Sequence, residues 1–238
     1  MADYSYISDI LMQSAVKMKA IFVAGTDTGV GKTLVAGLLA GYFIGKGKSV
    51  VTQKWVATGK TDDIKTHWKI MGFVPKESRE VILPYTFKLA ASPHLAAGYN
   101  RKRIDKEKIK KSFLILLQRH DVVVVEGTGG LLVPIDTKSL LIDIVKDLKL
   151  PVLLVSHNKI GAINHTLLSI EALKRRSIPV IGLVFNNLSK TKKIILEDNQ
   201  RIIREISGIP VLGALPRSNN VNILRSRFKT IGDKIDLS

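Results

Sequence analysis

The sequence predicts a single α/β domain with a mostly parallel β-sheet flanked by helices on both faces. Short runs of β-branched residues alternate with longer helical stretches, and most of the runs are apolar throughout. Continuous apolar runs are typical of strands buried on both faces of a parallel sheet. Alternation of strand and helix gives an open sheet with right-handed crossovers. We see no internal repeat and no linker, so one domain is expected over residues 20–238, after an N-terminal extension of residues 1–19.

Six runs are predicted as strands, and the stretches between them as helices. The strands are Ala20–Ala24, Ser49–Lys54, Val122–Val125, Val152–Val155, Val180–Phe185 and Val211–Ala214. The helices are Lys32–Ile44, Asp105–Gln118, Leu140–Leu148, Ile163–Arg176 and Thr191–Ile206. In such a sheet, ligands bind beyond the carboxyl ends of the strands, so the motifs that follow strands are the functional candidates.

Composition narrows the class of protein. Hydrophobic residues make up 45% of the 238 residues and charged residues 24%, which excludes a disordered chain. The absence of cysteine excludes disulfides, thiolate metal sites and a cysteine nucleophile, and it fits a cytoplasmic protein. Nothing approaches the ~18 uninterrupted apolar residues of a membrane span, and the first 18 residues do not resemble a secretory signal.

The net charge is +17, because 37 basic residues face 20 acidic ones. Such a surface attracts nucleic acid or anionic lipid without specificity. The basic residues are spread along the chain, however, and Lys102, Lys106 and Lys110 are spaced four apart, as on the outer face of a helix. We therefore expect solvated helix faces, with neither a specific nucleic-acid partner nor a membrane partner.

A phosphate-binding loop connects the first strand to the first helix. It reads Gly25-Thr-Asp-Thr-Gly-Val-Gly-Lys-Thr33. Glycines let backbone N–H groups close around phosphate oxygens, Lys32 would reach the β- and γ-phosphates, and the Thr33 hydroxyl would bind Mg²⁺. Thr26 stands where the common pattern has its first glycine. The pattern predicts a P-loop NTPase-like nucleotide site, with contacts from Asp27, Thr28, Gly29, Val30, Gly31, Lys32 and Thr33.

A second motif follows the strand Val122–Val125. The strand continues into Glu126-Gly-Thr-Gly-Gly130. A buried strand would deliver Glu126 beside the phosphate loop, where a carboxylate can hold Mg²⁺ directly or through water. Gly129 and Gly130 would let the backbone approach a ligand closely. We predict Glu126 and Gly129 as nucleotide-site residues.

Together the two motifs resemble those of the dethiobiotin synthetase family. Five further segments match in order: Lys54-Trp-Val-Ala-Thr-Gly59, Pro84-Tyr-Thr-Phe87, Ser92-Pro-His94, Lys159-Ile-Gly-Ala-Ile-Asn-His165 and Leu212-Gly-Ala-Leu-Pro216. Related cobyrinate and cobyrate amide synthases share the loop and the acidic strand, but they need a glutamine-amidotransferase domain for which this chain has no room.

The resemblance implies an enzyme of biotin biosynthesis. Members of the family carboxylate 7,8-diaminopelargonic acid with CO₂ and close the ureido ring at the expense of ATP, giving dethiobiotin, ADP and phosphate. The implied route passes through a carbamate and a carbamic-phosphoric anhydride. ATP is a co-substrate, Mg²⁺ is the cofactor, and the active assembly is a homodimer.

The resemblance also assigns roles to individual residues. The catalytic lysines are Lys32 and Lys54, and the metal ligands are Thr33, Glu126 and Asp63, with the adjacent Asp62 left open as an alternative to Asp63. Thr26 and Thr58 face the substrate. Asn186 reads the adenine edge, with Asn187 as the alternative, and Pro216 lines the base pocket. Gly161, Ala162, Ile163 and Asn164 bind the substrate's tail carboxylate from the neighbouring subunit.

The start of the helix after Lys159 allows a simpler interpretation. Its first turn carries no acidic residue, so its free N–H groups favour an anion. Capping by water or by Asn164 would satisfy them without any ligand.

Two positions depart from the family pattern. Trp55 replaces the usual proline after the second lysine, and Thr128 replaces an alanine between the glycines. Neither replacement removes a predicted ligand.

Two other functions share the phosphate loop. One is a partition-type ATPase switch that dimerises on ATP and binds DNA; that subgroup carries an extra lysine where this chain has Asp27. The other is a non-catalytic regulatory domain, which would not need to retain Lys32, Lys54 and Glu126. Asp27 and the substrate-type segments disfavour the first, and the presence of those three residues disfavours the second.

Overall fold

The computed structural model describes residues 19–235. The expectations for residues 1–18 lie outside this range. The strands are β1 (Ala20–Gly25), β2 (Val50–Lys54), β3 (Val56–Thr58), β4 (Tyr85–Phe87), β5 (Val122–Glu126), β6 (Val152–His157), β7 (Val180–Asn186) and β8 (Val211–Leu215). The helices are α1 (Lys32–Gly45), α2 (Asp63–Met71), α3 (Arg79–Ile82), α4 (Pro93–Tyr99), α5 (Lys106–Arg119), α6 (Leu141–Asp147), α7 (Ala162–Lys174), α8 (Lys193–Ser207) and α9 (Val221–Gly232).

Six strands form one parallel sheet in the order β2-β5-β1-β6-β7-β8. All six predicted strands belong to it, with ends shifted by one or two residues. Strand β1 is central, and both of its neighbours pair with it in parallel. The ends of β1, β2 and β5 therefore meet at one edge, which carries the phosphate loop, Lys54 and Glu126.

Each face of the sheet is covered by helices. Side chains alternate along β1, so Ile21 and Val23 enter one core while Phe22 enters the other. Helices α1 and α9 cover the first face, and helices α5 to α8 contribute to the second. The predicted fold class is confirmed.

Several elements were not predicted from the sequence. Helix α2 occupies a segment for which no element was predicted, and α9 lies in the last part of the chain. Strands β3 and β4 form a small parallel sheet of their own, and each has only three residues. Helix α2 is the most consequential omission, because two of its residues enter the candidate site. Among the helices of residues 19–235, none is long and apolar enough to cross a membrane.

Candidate active site

The phosphate loop leaves β1 at Gly25 and enters α1 at Lys32. Gly29 and Gly31 have positive φ values of 74° and 99°, which favour glycine. A Cβ atom on Gly31 would lie 2.1 Å from the Asn186 side-chain nitrogen, and one on Gly25 would lie 2.8 Å from Lys32 Nζ. The chain therefore needs glycine at residues 25 and 31. The loop accepts Thr26 at the position where the common pattern has its first glycine.

The lysine of the loop contacts the backbone of the same loop. Lys32 Nζ donates a hydrogen bond of 2.8 Å to the carbonyl oxygen of Asp27. The Asp27 carboxylate accepts a bond of 2.6 Å from the backbone N–H of Thr28. Thr26 is held by its backbone N–H, which donates to Val155 O at 3.0 Å. Burial lowers the pKa of Lys32 to about 8, and a nearby phosphate would favour the charged form.

Beside the loop, Lys54 lies between two carboxylates. Its Nζ is 2.8 Å from Glu126 Oε1 and 2.6 Å from Asp63 Oδ2. Thr33 Oγ1 donates to the same Glu126 oxygen at 2.9 Å. Burial lowers the pKa of Lys54, but the two carboxylates outweigh burial and raise it above its ordinary value. The sheet edge thus brings together four of the predicted catalytic and metal-binding side chains, namely Thr33, Lys54, Asp63 and Glu126.

The second oxygen of Glu126 has a partner that sequence reasoning missed. His67 Nε2 is 2.7 Å from Glu126 Oε2, and both side chains are almost fully buried. Burial alone would raise the pKa of Glu126, but the charge of Lys54 and the hydrogen bond with His67 lower it to about 2. Asp63 and His67 are four residues apart on α2 and therefore lie on the same face of that helix.

The two adjacent aspartates have different environments. Asp63 contacts Lys54 and lines the cavity described below. Asp62 is the N-cap of α2, where its side chain accepts from the Lys65 N–H, and it also contacts Arg79. This geometry favours Asp63 as the metal ligand.

A cavity of about 670 Å³ opens over these groups. Predicted residues that line it are Thr28, Gly29, Gly31, Lys32, Thr33, Lys54, Thr58, Asp63, Glu126 and Gly129. The remaining predicted residues lie outside its lining: Thr26, Asp27, Val30, Gly161, Ala162, Ile163, Asn164, Asn186 and Pro216. The cavity combines ammonium groups, hydroxyl groups and carboxylates, a set that can hold a nucleotide phosphate with a divalent cation.

Curated proteins with similar sequences share one activity name. The ATP-dependent dethiobiotin synthetase BioD of Chlorobaculum tepidum is 40% identical over 196 residues, covering 80% of this chain and 82% of the relative. That of Halalkalibacterium halodurans is 36% identical, with 86% and 87% covered. This chain belongs to the dethiobiotin synthetase family. A family model described as an AAA domain also matches residues 19–223. The predictions of the family and of an ATP-dependent enzyme are confirmed.

Solved structures of other ATPases share the fold. The cell division ATPase MinD of Pyrococcus furiosus superposes with a TM-score of 0.59 at 15% identity, covering 92% of this chain and 98% of that one. MinD of Pyrococcus horikoshii, complexed with Mg-ADP, gives 0.55 at 14% identity, with 92% and 87% covered. At these identities the likeness concerns the fold alone.

The two departures from the dethiobiotin synthetase pattern both have structural roles. Trp55 is buried against Phe22, with ring centroids 5.1 Å apart, and its indole N–H donates to Gln53 Oε1 at 3.0 Å. The Thr128 hydroxyl donates a short hydrogen bond to the carbonyl oxygen of Val56. Trp55 thus anchors the backbone next to Lys54, and Thr128 connects the glycine segment to β3.

The two asparagines predicted as candidates for adenine recognition lie at the end of β7 and directly after it. The Asn186 side chain is buried, and its amide nitrogen donates to Val30 O at 3.1 Å, so it braces the phosphate loop. Asn187 carries a buried side-chain oxygen that has no hydrogen-bond partner within residues 19–235. Pro216 follows β8, next to β7 in the sheet. The choice between the two asparagines therefore stays open.

The last predicted segment forms the start of α7. Gly161 is its N-cap at φ 87°, and in the described structure no side chain caps it. Asn164 therefore does not supply the side-chain cap that the simpler interpretation allowed. Ile160 is 79% exposed, and Asn164 is exposed too. None of residues 161–164 lines the cavity, and the N–H of Ala162 donates to Lys159 O at 3.1 Å.

The residues at the sheet edge fit the magnesium ion that the family resemblance implies. Thr33, Asp63 and Glu126 offer hard oxygen ligands close together, the type that Mg²⁺ prefers. The Lys54 ammonium, which contacts both carboxylates, shows that this position favours positive charge. Within residues 19–235, no three His, Asp or Glu side chains form a metal-binding group, so phosphate oxygens would have to complete the coordination.

Proposed function

We propose that the protein synthesises dethiobiotin from 7,8-diaminopelargonic acid, CO₂ and ATP. The observation that carries the proposal is the close placement of Lys54 beside the phosphate loop. A second buried ammonium there is more than a nucleotide-hydrolysing loop needs, and it suits a reaction in which an anionic carbamate meets the γ-phosphate. The identity of the substrates is inferred from membership of the dethiobiotin synthetase family.

The reaction consists of three polar steps. One amine of the substrate attacks CO₂ and loses a proton, which gives a carbamate. A carbamate oxygen then attacks the γ-phosphorus of ATP and expels ADP, forming a mixed anhydride. The second amine attacks the carbonyl carbon and loses a proton, the ring closes, and phosphate leaves. Each step brings an amine or an oxyanion to an electrophile, so positioning and charge neutralisation account for most of the catalysis.

The lysines neutralise the developing charge. Lys32, at the start of α1, would contact the β- and γ-phosphates, replacing its bond to the Asp27 carbonyl. Lys54 would bind the carbamate and the γ-phosphate from the β2 side. Thr58 lines the same cavity, and with Thr26 it is proposed to contact the diamine.

The metal would neutralise the triphosphate and polarise its γ-phosphoryl group. Thr33, Asp63 and Glu126 would hold it together with the phosphates. The Glu126 carboxylate is suited to this role because it stays ionised despite its burial. Asp63 would move from Lys54 toward the ion by a side-chain rotation.

The substrate's distant carboxylate is proposed to bind the start of α7 from a second subunit. The residues are Gly161, Ala162, Ile163 and Asn164, acting mainly through backbone N–H groups. The N–H of Ala162 would first have to leave Lys159 O, its partner at 3.1 Å. Exposed apolar side chains on α4, in the segment after β5 and around α7 would suit a subunit interface: Leu95, Tyr99, Leu132, Ile160 and Leu168. We therefore propose a homodimer in the cytoplasm, where the substrates are metabolites.

Release of phosphate tests the proposed reaction. The purified protein is incubated with ATP and Mg²⁺, and diaminopelargonate and bicarbonate are each omitted in turn. We expect release to require both. Release that continues without either one would indicate a plain ATPase and contradict the proposal.

A further inference from the structure

Helix α2 contributes two side chains to the site from successive turns of one face. Asp63 reaches Lys54, and His67, one turn later, reaches Glu126. The helix therefore contacts both members of the ion pair on which the cavity is built. Because Asp63 is only partly buried and lines the cavity while His67 is fully buried, the two side chains differ in what they can do.

The contact of His67 with Glu126 is a hydrogen bond of defined direction. An ionised carboxylate can only accept, so the Nε2 atom of the ring carries the proton and donates it. The distance is 2.7 Å, and neither side chain is accessible to water. Hydrogen bonds to a charged group in such surroundings are shorter and stronger than neutral ones.

The two carboxylate oxygens of Glu126 consequently have different hydrogen-bond partners. Oε2 is occupied by His67, whereas Oε1 is shared by Thr33 and Lys54, which both line the cavity. Without the histidine, the carboxylate could rotate about its last torsion, a broad and soft one for glutamate. The buried Oε2 would then also lack a partner, which is costly in itself.

We propose that His67 is a positioning residue that fixes the Glu126 carboxylate, and α2 with it, for binding the magnesium–nucleotide complex. His67 does not touch substrate or metal. It acts through Glu126, as outer-shell partners of metal ligands do when they orient the ligand. This inference rests on the proposed metal role of Glu126.

The alternative is a buried histidine that only stabilises the core. Two amide side chains separate these interpretations. Counted from Cβ, the Nε2 atom of Gln lies the same number of bonds away as the Nε2 atom of His, whereas the amide nitrogen of Asn corresponds to Nδ1. In His67, Nδ1 has no hydrogen-bond partner among the described residues. Gln can therefore restore the donor at Oε2, and Asn cannot.

The test measures ADP binding by calorimetry, with and without Mg²⁺, on the full chain. The variants are His67→Leu, which fills the space without a donor, His67→Asn and His67→Gln. Ile70→Val is the matched control, since it shortens a buried side chain one turn further along α2 without approaching the carboxylate. Thermal unfolding reports the stability of every variant.

We expect His67→Leu and His67→Asn to lose about tenfold or more of the Mg²⁺-dependent gain in ADP affinity, while metal-free ADP binding stays near that of the parent. His67→Gln should recover most of the gain, and Ile70→Val should keep it. The inference is overturned if folded His67→Leu keeps the gain, if Gln fails to restore it, or if ADP binding falls equally with and without Mg²⁺. These readouts do not involve the diamine, so failure of the proposed reaction would be seen separately, in phosphate release.

Discussion

The phosphate-loop cluster and the start of α7 lie at the same edge of the sheet but are built differently. In the cluster, Lys32, Lys54 and Glu126 are buried and each has a protein partner within 2.8 Å. At α7, Gly161 and Asn164 are exposed, and no side chain in the described structure caps the helix.

A single chain provides the cluster complete with its hydrogen-bond partners, whereas the partner for the start of α7 has to come from outside the chain. The side chains of the cluster are gathered at the sheet edge before any ligand arrives, so that binding would only exchange the partners of Lys32 and Asp63. The free N–H groups of α7 favour an anion, and in our proposal the substrate and a second subunit provide it. Substitutions in the two regions should therefore change different kinetic properties. Those in the cluster should affect turnover or metal use, and those at α7 should affect substrate affinity.

The largest effect is expected from Lys32→Ala. Lys54 is proposed to bind the carbamate and the γ-phosphate, so no other ammonium is left to replace Lys32 between the β- and γ-phosphates. Turnover should therefore fall at least about a hundredfold, as for a lost transition-state donor. Phosphate release in the presence of both substrates measures this. Lys48→Ala, at an exposed lysine beyond α1, is the control and should keep normal turnover. Near-normal turnover by the Lys32 variant would refute its assignment.

The next effect concerns the two adjacent aspartates. Asp63→Asn removes a proposed metal ligand, so the Mg²⁺ concentration needed for half-maximal turnover should rise by more than the ~tenfold typical of an outer-shell loss. Asp62→Asn keeps a good N-cap and loses only an exposed ion pair, so turnover should change by about twofold at most. A magnesium titration of both variants measures this, and the reverse ranking would assign the role to Asp62.

At α7 the expected effect is smaller and is confined to substrate affinity. Ile163→Pro removes one backbone donor in the first turn, where the N–H has no partner within the helix. If that donor binds the tail carboxylate, the KM for the diamine should rise about tenfold, in keeping with a hydrogen bond to a charged group. Ala162→Gly keeps the donor and is the control. An unchanged KM in a folded Ile163→Pro variant would show that α7 does not bind the substrate.

The smallest effect concerns stability. Gly161 has a positive φ of 87°, but a Cβ atom there would meet nothing within 4 Å. Gly161→Ala should therefore lower the free energy of unfolding by only the ~1–2 kcal/mol of a left-handed residue. Gly31→Ala adds a collision with Asn186 to the same strain and should lose ADP binding. Thermal unfolding measures the stability of both variants, and calorimetry measures their ADP binding. Equal losses of stability and of ADP binding in the two variants would contradict the contrast between the two regions.

The sheet was predictable because its strands are apolar on both faces. The valine run of β5 and the loop after β1 also indicated where a nucleotide binds. Strands β3 and β4 could not be found this way, since three residues are too few to show a period. Helix α9 did leave a signal: Leu224, Phe228 and Ile231 follow helical spacing, and all three are buried.

His67 shows why part of the site could not be predicted. An isolated histidine in a basic segment carries no signal of its own. The spacing Asp63-x-x-x-His67 becomes informative only after α2 is known, because helical geometry then places both side chains on one face. Likewise, the functions of Trp55 and Thr128 depend on neighbours that are distant in sequence, namely Phe22 and Val56.

The central claim is that this site joins CO₂ to a diamine at the expense of ATP. The most direct measurement supplies ¹³C-bicarbonate, diaminopelargonate, ATP and Mg²⁺ to the purified protein and identifies the product by mass spectrometry. We expect dethiobiotin with the label in its ureido carbonyl, formed in equal amount to ADP and abolished by Lys32→Ala. ADP formation without labelled dethiobiotin would contradict it.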